Sequence, residues 1–196
     1  MKEKEWKACL KAVEEMDSLD FLVASGSLPP GVPNNVYAQL AKIAKNKKAK
    51  FILDSSGEPL KLAIEEGVYL IKPNLREFIS MYGMDDLSID QISAAASELV
   101  MKGKCTAVVI SLGAGGALLI QQDRAIQFHA PDVEMKSTVG AGDSMVAGII
   151  YSLVQGSDFS TAVQYGIACG SAATMNQGTA LCRKEDVDRL FKRMVK

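Results

Sequence analysis

The strongest limit on the fold is an alternation of short apolar runs with longer amphipathic segments. Asp20–Ala24, Lys50–Asp54, Val68–Ile71 and Thr106–Ser111 are runs of strand length, rich in Val, Ile, Leu and Phe. Glu5–Met16, Asn34–Asn46, Pro59–Glu66 and Ile89–Met101 place apolar residues at helical spacing ahead of and between them. Strands joined by crossover helices run parallel, and right-handed crossovers lay the helices on the faces of the sheet. The order therefore predicts an α/β chain whose mainly parallel sheet is covered on both sides.

After Ser111 the pattern changes. Leu112–Gly116 is a tight glycine turn into Ala117–Ile120, and Ala125–Phe128 follows within a few residues, so these runs are expected to pair antiparallel. Met145–Tyr151 is an apolar run long enough for a buried helix. Asp158–Met175 is a longer helical segment in which Gly166, Ala168, Gly170, Ala172 and Ala173 permit close approach of a neighbour. Gly178 suits a left-handed position after that helix, and Lys184–Met194 is a last amphipathic helix. With 196 residues and no linker, repeat or low-complexity segment, one domain over residues 1–196 is expected.

Charge and cysteine usage exclude several classes of function. Lys+Arg number 22 against Asp+Glu 23, which gives no electrostatic case for nucleic acid or an anionic membrane. The segment Lys42–Lys50 reads as a solvated helix end. No apolar run is long enough to span a bilayer and residues 1–5 are not a signal peptide, so a cytoplasmic location is expected. Cys9, Cys105, Cys169 and Cys182 form no CxxC pair and read as thiols in a reducing compartment. His129 is the single histidine, so neither a zinc site nor a serine–histidine triad can be assembled.

Three stretches carry chemistry. In Ser137–Ser144 two glycines flank Ala141 at the mouth of a helix, with Asp143 just inside it. Glycine lets backbone amides face a guest, and helix N-termini favour an anion. On its own chemistry this stretch reads equally as a glycine turn with Asp143 as cap, or as a phosphate cradle beside a base. In Lys72–Glu77, Pro73 ends a strand, and Asn74 with Glu77 has the spacing of a capping box. In Ser25–Gly31 hydroxyls and amides gather at the carboxyl end of a strand, where ligands bind in open parallel sheets.

Together these motifs resemble those of the ribokinase-like (PfkB) carbohydrate kinases. Ser137–Ser144 is similar to the family's C-terminal signature, Lys72–Glu77 to its NxxE element and Ser111–Ala117 to its nucleotide-binding turn. Ser25–Gly31, Asp54–Glu58 and Ala172–Thr179 look most like the minor 6-phosphofructokinase branch, with the tagatose-6-phosphate kinases and 1-phosphofructokinases standing close. The resemblance implies a ribokinase-like three-layer αβα fold with a short antiparallel C-terminal extension. It makes Asp143 the general base on the sugar hydroxyl and Gly140, Ala141 and Gly142 the anion hole. Lys72 and Asn74 would reach the ATP phosphates, and Glu77 would organise Mg²⁺ through water. Ser111, Gly113, Gly116 and Thr138 would lie beside the nucleotide, with Ser171 and Asn176 near the adenine. Carbonyls at Ser137, Val139, Ala173 and Gly178, with the Asn176 region, would hold K⁺, and Ser27 would face the sugar phosphate. Ala180 stands where the nearest family members carry arginine.

The implied activity is transfer of a phosphoryl group from MgATP to a phosphorylated hexose, fructose 6-phosphate to fructose 1,6-bisphosphate first. Tagatose-6-phosphate kinase and 1-phosphofructokinase are the alternatives, and a non-catalytic MgATP-binding module is the alternative of another class. The likeness covers only the C-terminal two thirds of a family member. The N-terminal strands, the sugar-gripping aspartate and the β lid are expected to be absent, leaving the sugar site incomplete and the chain inactive alone. A homo-oligomer or a complementing N-terminal segment is the expected protein partner.

Overall fold

A computed structural model describes residues 1–84 and 86–195. Its contacts fall into two compact units, Met1–Ile110 with Ile120–Ala125, and Ser111–Leu119 with Ile126–Lys196.

The first unit alternates helix and strand as α1 (Glu3–Glu14), β1 (Phe21–Ser25), α2 (Val36–Asn46), β2 (Lys50–Asp54), α3 (Gly57–Glu66), β3 (Val68–Ile71), α4 (Leu75–Met81), α5 (Ile89–Met101) and β4 (Cys105–Ser111). β1, β2, β3 and β4 pair in sequence order, all parallel. One row across the sheet runs Val23, Ile52, Leu70, Ala107. Ile52, Leu70 and Ala107 are at most 1% exposed, whereas Val23 on β1 is 41% exposed, as befits the strand that begins the sheet order. Lys50 lies over the rings of Phe21 and Tyr69, 5.1 and 5.2 Å from their centroids, and covers apolar surface there with its stem.

The helix ends follow local chemistry. α4 opens on the Asn74–Glu77 capping box and α5 on a Ser88–Gln91 box of the same kind. α2 begins at Val36, two residues later than its apolar spacing suggests, because the chain leaves Pro33 through a turn in which the Val36 N–H donates to the Pro33 carbonyl. α3 takes in Gly57 ahead of Pro59, since a proline in the first turn gives up an N–H that has no helical partner. Gly67 closes α3 with φ +94, a value that glycine reaches without strain.

The second unit begins with a single 3₁₀ turn, Gly113–Gly115. β5 (Ala117–Gln121) and β6 (Arg124–Phe128), whose residues 120–121 and 124–125 belong to the first unit, are joined by a two-residue turn as an antiparallel hairpin, and the sheet order runs β1 to β6 in sequence. Then follow α6 (Ala141–Val154), α7 (Phe159–Thr174) and α8 (Lys184–Met194). Asp158 caps α7 by accepting from the Thr161 N–H at 2.8 Å. Tyr165 stacks on Tyr151 at 5.6 Å and meets Phe191 edge-on at 5.2 Å, so one ring of α7 ties α6 to α8. Among the described residues no helix is long and apolar enough to cross a membrane.

α6 and α7 touch through glycines. A Cβ on Gly166 would sit 2.5 Å from Ile149 Cγ1 and 2.8 Å from the Met145 carbonyl oxygen, and one on Gly148 would sit 2.5 Å from Cys169 Sγ. Neither position has room for a methyl group. Gly166→Ala should therefore destabilise by about 1–3 kcal/mol, lowering the thermal midpoint by on the order of 5 °C. An unchanged midpoint would show that the two helices can move apart freely.

Cys105, on β4, is 3% exposed, and burial pushes its thiol up to about 12. An unfolded thiol ionises near 8.5. The folded group is the weaker acid, so its contribution is intact below about pH 8.5 and declines as pH rises towards 12. Thermal midpoints measured from pH 7 to pH 10.5 should fall more steeply for the parent chain than for Cys105→Val. Parallel curves would show that this thiol carries no alkaline sensitivity.

Candidate active site

The elements that hold the candidate residues lie partly in each unit. In the first, Lys72 follows β3 and its N–H donates to the Leu53 carbonyl at 3.0 Å, which fixes the direction of the side chain. That side chain is only 5% exposed, and its Nζ lies 3.1 Å from Oδ1 of Asp54 at the end of β2. An ammonium so buried needs a counter-charge to offset its lost hydration, and Asp54 supplies it. Two residues on, Asn74 Oδ1 accepts the Glu77 N–H at 2.9 Å, and Glu77 Oε2 accepts the Asn74 N–H at 2.8 Å. The capping reading of this pair is thus what the structure shows.

Ser27 is exposed in the loop after β1. The loop is pinned at Gly26, whose carbonyl accepts from Tyr37 Oη at 2.9 Å and Ser55 Oγ at 3.0 Å. Gly26 has φ +99, and its own N–H donates to the Asp54 carbonyl at 2.9 Å. Burial pushes the Tyr37 phenol above its ordinary value, with the Asp54 charge adding to the rise. The ends of β1 and β2 are in this way bonded to one another around Asp54.

In the second unit a cavity of about 390 Å³ gathers many of the remaining candidates. Ser111, Gly113, Gly116, Thr138, Ala141, Gly142 and Ser171 all line it. Gly116 belongs there for a steric reason: a Cβ would fall 2.0 Å from the Phe128 carbonyl oxygen, and its φ is +92. Its buried apolar lining is Met145 and Ile167, and Val133 with the exposed Met135 completes the apolar surface.

At one end of this cavity α6 begins. Gly140 is its N-cap with φ +76, and the first helical hydrogen bond runs from Ser144 N to Gly140 O at 2.9 Å. The Ala141 N–H makes a long bond to the Thr138 carbonyl at 3.3 Å; the other amides of the first turn precede the helical ladder, which makes the helix start an acceptor-binding end. Asp143 is third in this turn and exposed. The cap position belongs to Gly140, so Asp143 is not the N-cap. Gly170 of α7 brings the two helices close here, since its Cβ would stand 3.1 Å from the Ala141 carbonyl oxygen.

The stretch before α6 is bonded to the end of α7. Ser137 Oγ donates to the Gly178 carbonyl at 2.8 Å, and the Lys136 and Ser137 N–H groups donate to the Thr174 carbonyl at 2.7 and 3.2 Å. Asn176 Nδ2 donates to the carbonyls of Ala172 and Leu181, both at 3.1 Å. The structure therefore ties Ser137 to Thr174 and Gly178, Val139 to Ser137 through its N–H, and Asn176 to Ala172, Ala173 and Leu181. Its carbonyl oxygens are donors of the kind a hard cation takes.

Two features of the site are given no role by the motifs. Asp54 reads as the end of a strand, although a carboxylate closing a buried apolar run is a signal that it has a partner. Val133, Met135 and Ile167 read as ordinary apolar residues, because an apolar cavity lining has the composition of a core.

The sequence matches the model of the pfkB family of carbohydrate kinases over residues 1–186. It is 40% identical over 192 residues to the ATP-dependent 6-phosphofructokinase isozyme 2 of Escherichia coli (strain K12), covering 97% of this chain and 62% of that protein. It is 30% identical over 175 residues to the 1-phosphofructokinase of Bacillus subtilis (strain 168), covering 89% of this chain and 57% of that one. The crystal structure of phosphofructokinase-2 from Escherichia coli in complex with potassium superposes with a TM-score of 0.94 at 39% identity, covering 100% of this chain and 64% of that chain. The chain thus spans a little under two thirds of the length of these relatives. The expected ribokinase-like three-layer α/β fold, with its mainly parallel sheet and antiparallel C-terminal strands, is borne out. A family match that takes in the Lys72–Glu77 element, the Ser111–Gly116 turn and the start of α6 makes this chain a member of the pfkB family of carbohydrate kinases.

Proposed function

We propose that the chain carries the nucleotide-binding and phosphoryl-transfer part of an ATP-dependent sugar-phosphate kinase, whose acceptor is fructose 6-phosphate and whose product is fructose 1,6-bisphosphate. The observation that carries this reading is the cavity of about 390 Å³ that ends at the first turn of α6. Its apolar floor suits a nucleobase, and the helix start suits the phosphoryl group in transit. The 6-phosphofructokinase relative at 40% identity supports the choice of acceptor.

Phosphoryl transfer asks a protein for positioning and for stabilisation of charge more than for covalent chemistry. In this reading the amides at Gly140, Ala141 and Gly142 hold the charge that grows on the phosphoryl oxygens. Asp143, one residue further, accepts the proton of the attacking sugar hydroxyl. Lys72 and Asn74 take phosphate oxygens, Lys72 as a charge aimed by Asp54 and Asn74 through the Nδ2 donors that its capping role leaves unused. Ser27 faces the phosphate of the sugar.

Bound Mg²⁺ would neutralise the β- and γ-phosphate oxygens, and Glu77 fits it through water because the capping role engages Oε2. K⁺ would suit the carbonyls of Ser137, Val139, Ala173 and Gly178, and the Ser137–Gly178 bond supports this by joining two of these residues. There it would stiffen the approach to α6.

Asp143→Asn should leave MgATP affinity within a few-fold of the parent by titration calorimetry. With the chain complemented by an N-terminal segment of the family, ADP release in the presence of fructose 6-phosphate should fall by about 10²–10⁴-fold, the usual worth of a positioned base. Transfer unaffected by the substitution would remove Asp143 from the chemistry. MgATP binding without transfer to fructose 6-phosphate, fructose 1-phosphate or tagatose 6-phosphate would favour a binding module instead.

Lys72→Met should weaken MgATP binding by roughly ten- to a hundredfold, the value of one charge-assisted hydrogen bond to phosphate. Because it strands Asp54 in a buried place, the single variant should also be less stable. Lys72→Met combined with Asp54→Asn should recover much of the stability and none of the affinity. Recovery of both would show that Lys72 serves the fold alone.

A further inference from the structure

Asp132 is the one charged residue, among the described residues, that lines the cavity of about 390 Å³. The cavity ends at a helix start suited to phosphate, and a carboxylate repels phosphate. Its presence therefore weakens a phosphate-bearing ligand unless the carboxylate meets a hydrogen-bond donor of that ligand.

Anchors on both sides hold Asp132 in place. Before it, the chain lies against Gly116, where a Cβ would stand 2.0 Å from the Phe128 carbonyl oxygen and 2.7 Å from the Ala130 nitrogen. After it, the Lys136 and Ser137 N–H groups donate to the Thr174 carbonyl. Val133, its neighbour, packs against the apolar cluster of Ala168, Cys169, Ala172, Val187 and Leu190.

This place is remote from the first turn of α6. Ala130 and Pro131 share a hollow with Gln164 of α7, whereas Gly170 of α7 is the residue that faces the Ala141 carbonyl. Gln164 and Gly170 are separated along the helix by about 9 Å, at about 1.5 Å per residue. That is close to the span from the last phosphoryl group of a nucleoside triphosphate to its sugar. Over such a distance water and salt screen most of the repulsion between carboxylate and phosphate. Asp132 is also exposed, so it stands at the rim, away from the buried Met145 and Ile167 that suit the faces of a base. A nucleotide with its base on that apolar lining and its phosphates at α6 brings its ribose to the rim.

We propose that Asp132 is a specificity-determining residue that accepts hydrogen bonds from the 2′- and 3′-hydroxyls of the nucleotide's ribose. An ionised carboxylate only accepts, and its two oxygens match two neighbouring O–H donors. The hydroxyls of Ser111, Thr138 and Ser171 in the same lining donate as readily as they accept, and so select less. The inference rests on the nucleotide reading of this cavity and adds to it a preference for ribonucleotides over deoxyribonucleotides.

Titration calorimetry on the full chain with MgATP and its 2′-deoxy and 3′-deoxy analogues tests this. The parent should bind MgATP about tenfold more tightly than either analogue, the lower end for a hydrogen bond to a charged group. Asp132→Ala should bind all three with affinities within about twofold of one another, near the parent's affinity for the analogues. Asp132→Asn, which keeps one acceptor oxygen without the charge, should retain part of the preference. Purine riboside triphosphate, which lacks the amino group of adenine, should bind the parent as MgATP does. The proposal is overturned if the parent binds the three nucleotides equally, or if Asp132→Ala keeps the parent's preference. Tighter MgATP binding by Asp132→Ala than by the parent would also overturn it, by showing that the carboxylate only repels. A preference of the parent for the adenine amino group that Asp132→Ala erases would overturn it too, by assigning the carboxylate to the base. A parent chain that binds no MgATP would overturn the nucleotide reading itself, whereas tight MgATP binding without selection among the sugars would overturn this inference alone.

Discussion

The rest of the second unit depends on how closely α6 and α7 approach. Gly148, Gly166 and Gly170 lie along the contact, each with a neighbour where a Cβ would go. Small residues on facing helices let backbones come together, and the close-packed interior then transmits any displacement in full. At the lower end of the contact this approach seats Gly170 against the Ala141 carbonyl, which sets where the first turn of α6 begins. At the upper end it packs Gly166 against Ile149 and Met145. The position of the candidate anion site is therefore a consequence of helix packing as much as of the glycine turn itself.

How much could be read from the sequence varied with the range of the forces involved. The strands β1 to β4 were legible because runs such as Phe51-Ile52-Leu53 are buried on both faces, leaving little competing interpretation. Helix starts were legible where a side chain does the capping, as Asn74 and Asp158 do. The start of α2 was less so, because Asn35 supplies no side-chain cap bond and only the backbone turn sets the boundary. Asp143 was undecidable from its own neighbours, since a cap and a first-turn carboxylate differ by a few residues of phase. The positive φ of Gly140 fixes that phase, and φ is a property of the folded chain.

The site was legible in its glycines and hidden in its partners. A motif can announce a turn with room for phosphate, because glycine is required there for steric reasons that hold in any context. Gly116 is the clearest instance, with the Phe128 carbonyl occupying the space a side chain would need. Motifs do not announce contacts between distant residues. Ser137 with Gly178 joins positions 41 apart, and Tyr37 and Ser55 converge on Gly26 from 11 and 29 residues away. Each is a bond made by tertiary approach, and nothing in local spacing records it.

Asp54 and Lys72 show why such a hidden contact belongs with the chemistry. A buried ion pair is weak evidence for stability, because the desolvation of two charges largely cancels their attraction and apolar residues of similar volume hold as well. The ends of β2 and β3 are otherwise apolar, with Leu53 and Ile71 fully buried just before them. An apolar pair could therefore close these strands at less electrostatic cost. What an apolar pair could not do is keep a cation at the carboxyl end of a parallel sheet, held in one direction by the Lys72 N–H bond to Leu53 and by the carboxylate beside Nζ. A local departure from the rule of apolar interiors is most economical to explain where a ligand is to be met. The departure sits at the strand ends where ligands of open α/β sheets bind. The pair is thus better understood as a charge stored in position for an anion than as a brace for the fold.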